Sequence, residues 1–252
     1  MGKDVPFLPE TAIARNAAAL LTEYARARGA PVEPPILIDD IVEKHLKLGV
    51  EFNDMHELFG VPCPGPDPDI LGALFFDSRR IVVDESLDPV EHPTVEGRYR
   101  FTLAHECGHW RLHRAHFGGD TAQGSLFASP PARPVVCRAS RATEPVEWQA
   151  NLYAACLLMP GTLVAAAWTD WHGDSLPRVL RPLTPVRHGY PEIPRRECQA
   201  SDRDSDDETL RHYVRPLAGR FLVSPRAMCI RLEQLGLLHR IVPRQRRLMG
   251  GI

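Results

Sequence analysis

No apolar run in this chain approaches the ~18 residues that a bilayer-spanning helix needs, so a membrane protein is not expected. The opening residues, MGKDVPFLPE, lack the pattern of an export signal. The six cysteines are scattered and form no CxxC pair; without an export signal they are expected as reduced thiols rather than a disulfide framework. There is no basic excess either. A net charge of −2 disfavours a strong general affinity for nucleic acid. These absences predict a cytoplasmic protein. What is present is a globular composition: 252 residues, 44% hydrophobic, suit one domain with appendages or two small ones.

The most informative segment is RFTLAHECGHWRLH, in which residues 105 to 109 read His-Glu-Cys-Gly-His. On a helix, residues four apart lie one above the other, so His105 and His109 can aim two imidazoles at one metal ion. Glu106 lies about 100° further round, where it can act on a water without being a ligand. Two nitrogen ligands and a nearby base are the core of metal-assisted peptide hydrolysis. The surroundings fit a buried helix. Phe101, Ala104, Gly108, Arg111 and Ala115 recur at helical spacing, and Leu103, Cys107 and Trp110 form a second apolar row. Cys107 is turned about 200° from His105, which predicts core packing rather than redox control.

A third ligand must come from elsewhere. His113 extends the row to i+8, but a straight helix carries it about 12 Å beyond His105. Its expected roles are orienting the site or capping the helix end, the latter slightly preferred. Leu112 and Ala115 stand where the longer metzincin pattern needs glycine and histidine, and His116 comes one residue late. The better candidate is Glu147, in EPVEWQANLYAACLLMP, where Glu147, Ala150, Asn151, Ala154 and Leu158 share one helical face. Small residues on that face permit close helix packing, with Gly108 as the matching gap. Glu144 is the fallback, but it precedes Pro145 and belongs before the helix.

The two segments RFTLAHECGHWRLH and VEWQANLYAACLLMP resemble those of the ImmA/IrrE family of bacterial metallo-endopeptidases. Residues 217 to 237 resemble the family's closing helix. The resemblance implies an α+β fold: a zincin-like core with a small antiparallel sheet and the HExxH helix, plus a carboxyl-terminal helical segment. It implies Zn2+ held by His105, His109 and Glu147, with Glu106 as the general base. It also implies a specific protein substrate, a helix-turn-helix repressor whose cleavage relieves repression of a mobile element or stress genes. Tyr153 in place of phenylalanine and Gln149 in place of glutamate are mild departures. The extra length over 117–143, and again after Pro160, bears on the substrate cleft.

Three parts are expected along the chain: a metallopeptidase core over 1–160, an irregular Pro-rich and acidic insertion over 161–215, and a helical segment over 216–252 packed on the core. Within the first, helices are expected over 9–28 and 37–48, a short strand over 49–52, and a hairpin from 71–76 and 80–84. One hypothesis makes Arg80 to Asp84 an edge strand that pairs with an extended substrate; an ordinary structural hairpin is the equal alternative. His172, His188 and His212 are not assigned as ligands. Ser224-Pro225 starts a final helix that Gly236 ends, with Ala227, Ile230, Arg231, Leu235 and Leu238 as its core face. Arg240, Arg244, Arg246 and Arg247 form a short basic tail, for which nucleic-acid contact is the disfavoured reading. The competing functional class is a metal-stabilised regulator that binds a partner without cutting it. A third reading, a DNA-binding regulator built on the last helix, is disfavoured by the net charge.

Overall fold

A computed structural model describes residues 5–63, 65, 68–117, 134–138, 144–180 and 208–240. The chain is α+β, mostly helical, with one small mixed sheet. Helix α1 (Glu10–Arg28) buries Ile13, Ala17, Leu20, Leu21 and Tyr24, a single stripe at helical spacing. It stops at Gly29, whose φ of 71° turns the chain out of the helix. The helix expected over 37–48 is shorter, and its main turn, Asp40–His45, has π geometry.

Strand β1 (Gly49–Asn53) leads into α2 (Met55–Phe59), a turn that the sequence reading did not anticipate. Asp54 caps it, accepting a 2.8 Å hydrogen bond from the Glu57 N–H. The expected hairpin is present as β2 (Ile70–Phe75) and β3 (Arg80–Asp84). The sheet order is β1-β3-β2-β4, with β4 at Val135–Arg138. Two expectations need correction here. The sheet is mixed rather than antiparallel, because the chain reverses between β1 and β2 and again in the hairpin, which returns β3 parallel to β1. Nor is Arg80–Asp84 an edge: β3 lies between β1 and β2, and among the described residues the edges are β1 and β4. Its Ile81-Val82-Val83 run is buried throughout, the pattern of an interior strand covered on both faces.

The motif helix α3 (Glu96–Gly108) passes into a π turn at His109–His113 and then α4 (Arg114–Phe117). Helix α5 (Pro145–Leu158) lies against it. Contact is close because Gly108 has no side chain: a Cβ there would stand 3.1 Å from Tyr153 Cβ and 3.3 Å from Ala150 Cα. Helix α1 packs on α5 and is tied to the π turn by Arg111, which reaches both carboxylate oxygens of Glu23 at 3.0 and 3.1 Å. Buried Arg100 links α3 to two other regions, donating to the carbonyls of Ile36 and Leu222.

The segment 161–215 is not an irregular insertion at its two ends. Helix α6 (Gly161–His172) begins it, strand β5 (Arg178–Leu180) follows, and α7 (208–213) closes it. Trp168, Leu210 and Val214 are buried in the main core and anchor these two ends. The middle, 181–207 with His188, lies outside the described residues, as do most of 117–143 and the tail residues Arg244, Arg246 and Arg247. Then come α8 (Arg215–Phe221), α9 (Pro225–Gln234) and β6 (Leu238–Arg240), the last parallel to β5. Ser224 caps α9, and Gly236 follows with φ 67°. The buried face of α9 is Met228, Cys229, Arg231 and Leu232, while Ile230 is 46% exposed, a rotation from the expected face. Arg231 holds that rotation by donating to the Met159 carbonyl at 2.9 Å. No single helix among the described residues is long and apolar enough to cross a membrane.

Replacing an interior helical glycine by alanine ordinarily stabilises a helix by about 0.5–1 kcal/mol. At Gly108 the new methyl would push α5 away, so Gly108→Ala is expected to cost about 1–3 kcal/mol. Denaturant unfolding of the two proteins measures the sign directly.

Candidate metal centre

Helix α3 presents His105 and His109 one turn apart, and α5 brings Glu147 against them. The two Nε2 atoms lie 2.9 Å apart. Glu147 Oε2 is 3.1 Å from Nε2 of His105, and Oε1 is 3.5 Å from Nε2 of His109. All three residues are buried. Glu144 is the residue before α5, and its fallback role as ligand is not used. With Cys137 of β4, His105 and Glu147 also form a buried group whose ligand atoms all lie within 4.8 Å of one another and could hold a metal ion.

The hydrogen bonds around these imidazoles settle their tautomers. Pro6 offers only a carbonyl, so Gln149 Nε2 must donate to it, at 3.1 Å. Gln149 Oε1 therefore accepts from His113 Nε2, at 3.4 Å. A neutral His113 then accepts at Nδ1 from Nδ1–H of His109, at 2.9 Å. This leaves Nε2 of His109 with a lone pair. Asn151 Oδ1, 2.9 Å from Nδ1 of His105, fixes the same tautomer there. Two lone pairs and a carboxylate thus converge on one point. Such an arrangement of acceptors could hold a cation. A proton is disfavoured, because burial lowers the pKa of His109 to about 4. Two imidazole nitrogens and a carboxylate are a donor set suited to a divalent metal of the zinc type.

His113 is thus fully buried and oriented toward His109; it does not cap a helix end, because the π turn swings it back over its neighbour. Glu106 presents a different feature. It is wholly buried, and among the described residues neither carboxylate oxygen has a hydrogen-bond partner. Burial, then the charge of Glu147, pushes its carboxyl well above the usual range. Space for it comes from Gly72 on β2, where a Cβ would meet Glu106 Oε1 at 3.1 Å. For Glu147 burial pushes upward too, but when no ion is bound a proton on a facing imidazole takes the ion's place, and its hydrogen bond to the carboxylate outweighs burial and holds the carboxyl at about 2.

Sequence reasoning placed no role on Asn151, Gln149 or Cys137. Asn151 was legible as the residue one turn beyond Glu147 on the same face. Cys137 carried no signal, since its strand is recognisable only by its pairing. Cys107 packs in the core, and burial pushes its thiol up to about 12. His172 bonds Tyr213 Oη at 2.7 Å beside Trp168, and His212 is exposed; neither joins the centre.

If the relay fixes the ligand tautomer, Gln149→Leu and Asn151→Ala are each expected to weaken zinc binding about 10- to 100-fold with the fold intact. Competition against a chromophoric chelator measures this. A lowered carboxyl pKa means that the folded state binds fewer protons than the unfolded chain. The stabilisation from Glu147 is therefore complete above its ordinary value of 4.5 and is lost as pH falls toward about 2. In metal-stripped protein, Glu147→Gln should flatten that acid limb of the unfolding curve.

No family model matches this chain, and no curated protein is similar to it, so its chemistry is read from the side chains themselves.

Proposed function

We propose that this chain is a zinc-dependent endopeptidase of the ImmA/IrrE type, acting in the cytoplasm on one specific protein, a helix-turn-helix transcriptional repressor, to relieve repression. The observation that carries the peptidase reading is the pairing of two things in one buried place. Three acceptors of His105, His109 and Glu147 converge with their tautomers fixed, and a carboxylate without partners, that of Glu106, sits beside them. A structural site has no use for Glu106: an orphaned buried carboxyl costs about 1–3 kcal/mol or more. The substrate class rests on the motif resemblance alone.

His105, His109 and Glu147 would hold the ion, and Asn151, His113 and Gln149 keep their donor atoms turned to it. Zinc bound there supplies Lewis-acid polarisation of a scissile carbonyl and acidifies a water. Glu106 takes the proton of the attacking water on a carboxylate oxygen and delivers it to the leaving amine. Its burial excludes bulk water and raises its proton affinity, which suits a group that must accept a proton and then give it up. Among the described residues β4 is the open sheet edge on this side, so an extended substrate would pair with β4 rather than with Arg80–Asp84.

A second reading, a metal-stabilised regulatory protein that binds without cutting, draws on Cys137, because a metal with four protein ligands is the usual structural arrangement. Glu106→Gln separates the two. A peptidase loses about 10²-fold or more of its cleavage rate while keeping its metal. Comparison of new protein amino termini in cells carrying either form is the direct assay. Cleavage sites in a regulator, seen only with Glu106 present, are expected; identical profiles from folded, metal-loaded proteins would favour the binding protein.

A further inference from the structure

We infer that Cys137 is a fourth metal ligand, so that the resting centre is closed by His105, His109, Glu147 and Cys137 and must open before it can cut. The inference rests on the metal centre proposed above and concerns its regulation.

The placement follows from the sheet. Strand β4 pairs with β2 so that Cys137 stands opposite Gly72. Directly opposed residues of an antiparallel pair send their side chains to the same face. That face looks onto the motif helix, because a Cβ on Gly72 would meet Glu106 Oε1 at 3.1 Å. The Cys137 sulfur, a His105 nitrogen and a Glu147 oxygen already lie within 4.8 Å of one another, all on buried residues. In a tetrahedral zinc site with bonds of about 2.0 and 2.3 Å, such atoms stand about 3.3–3.6 Å apart. For these three residues the gap left to close is at most about 1.5 Å, within reach of side-chain rotations that would bring the sulfur toward the ion shared with His109. Glu106 lies against the same face, at Gly72, wholly buried and with both oxygens unpartnered among the described residues, so the space beside Cys137 is not filled by protein hydrogen bonds.

A thiolate in that position occupies the place that water needs. Opening would release Cys137 as a thiol, its proton taken from the incoming water; no oxidant would be required. The lever for opening is the strand itself. Among the described residues β4 has one neighbour, and its pairing carries a register irregularity between Ile70 and Gly72. A substrate strand added to the outer edge of β4 acts directly on the element that holds the closing ligand. Docking and opening are thereby coupled.

Cobalt substitution tests this without an activity assay. Wild-type protein loaded with one Co2+ per chain should show a near-ultraviolet sulfur-to-cobalt charge-transfer band. Cys137→Ser should keep one Co2+ and lose the band, and should weaken zinc binding about tenfold or more, the scale reached even by partners outside the ligand set. Cys63→Ser, at an exposed thiol, should change neither. Zinc X-ray absorption on wild-type protein needs no variant: one sulfur at about 2.3 Å per zinc supports the inference. Stoichiometric metal without a sulfur neighbour overturns it and leaves an open His-His-Glu centre standing. Wild-type protein that takes up neither Co2+ nor Zn2+ overturns the metal centre itself, and this inference with it.

Discussion

The separation of α3 and α5 is set by a side chain that is not there. Gly108 lets Ala150 and Tyr153 come within about a methyl's width of the motif helix. Glu147 and Asn151, one turn apart on α5, thereby meet the two nitrogens of one imidazole, His105. Gln149 meets His113 in the same helix pair. At 2.9, 3.1 and 3.4 Å, all three contacts would pass out of hydrogen-bonding range if the helices moved apart by about an ångström. The arginines act around this contact rather than in it. Arg111 ties the π turn to α1, and Arg100 ties α3 to the chain before β1 and to the carboxyl-terminal helices.

A core that encloses His105, Glu106, His109, His113, Glu147 and Gln149 carries an unusual load of polar groups. Buried polar groups cost stability unless each finds its partner. Half of them do so here through a directional chain, His109 to His113 to Gln149, that ends on the Pro6 carbonyl. That ending explains why an amide suits position 149. A carboxylate could accept from His113 but could not donate to Pro6; glutamine does both. Two deficits remain: the converging acceptors of His105, His109 and Glu147 lack a cation, and the Glu106 carboxyl lacks a hydrogen-bond partner among the described residues. Both deficits lie where chemistry would take place, which is how functional sites depart from otherwise consistent packing.

The parts legible in the sequence were those encoded locally. HExxH spacing, the Glu147 face, the Gly108 gap, the β2–β3 hairpin and the Ser224 cap each depend on residues a few positions apart. What escaped depends on partners distant in sequence. The placing of β3 between β1 and β2 required knowing that β1 runs parallel to it, although the unbroken Ile81–Val83 run was a hint. Strand β4 is four residues long and is defined only by its ladder with β2, so Cys137 stayed invisible. Trp168 marked α6 as an anchored helix, but proline-rich composition further along obscured it. His113 was misjudged because a regular helix was assumed where the chain widens into a π turn.

The span of the Pro6 contact bears on how the protein is made. Gln149 lies 143 residues from Pro6, and Glu147 follows His105 by 42. During synthesis the paired histidines leave the ribosome well before their carboxylate, and the relay cannot close until the beginning of the chain has docked on α5. A nascent or partly folded molecule therefore offers an ion two loosely held imidazoles and little else. Tight capture of the proposed ion would become possible only at the end of folding, so the ion would reward a finished molecule and pass over an unfinished one.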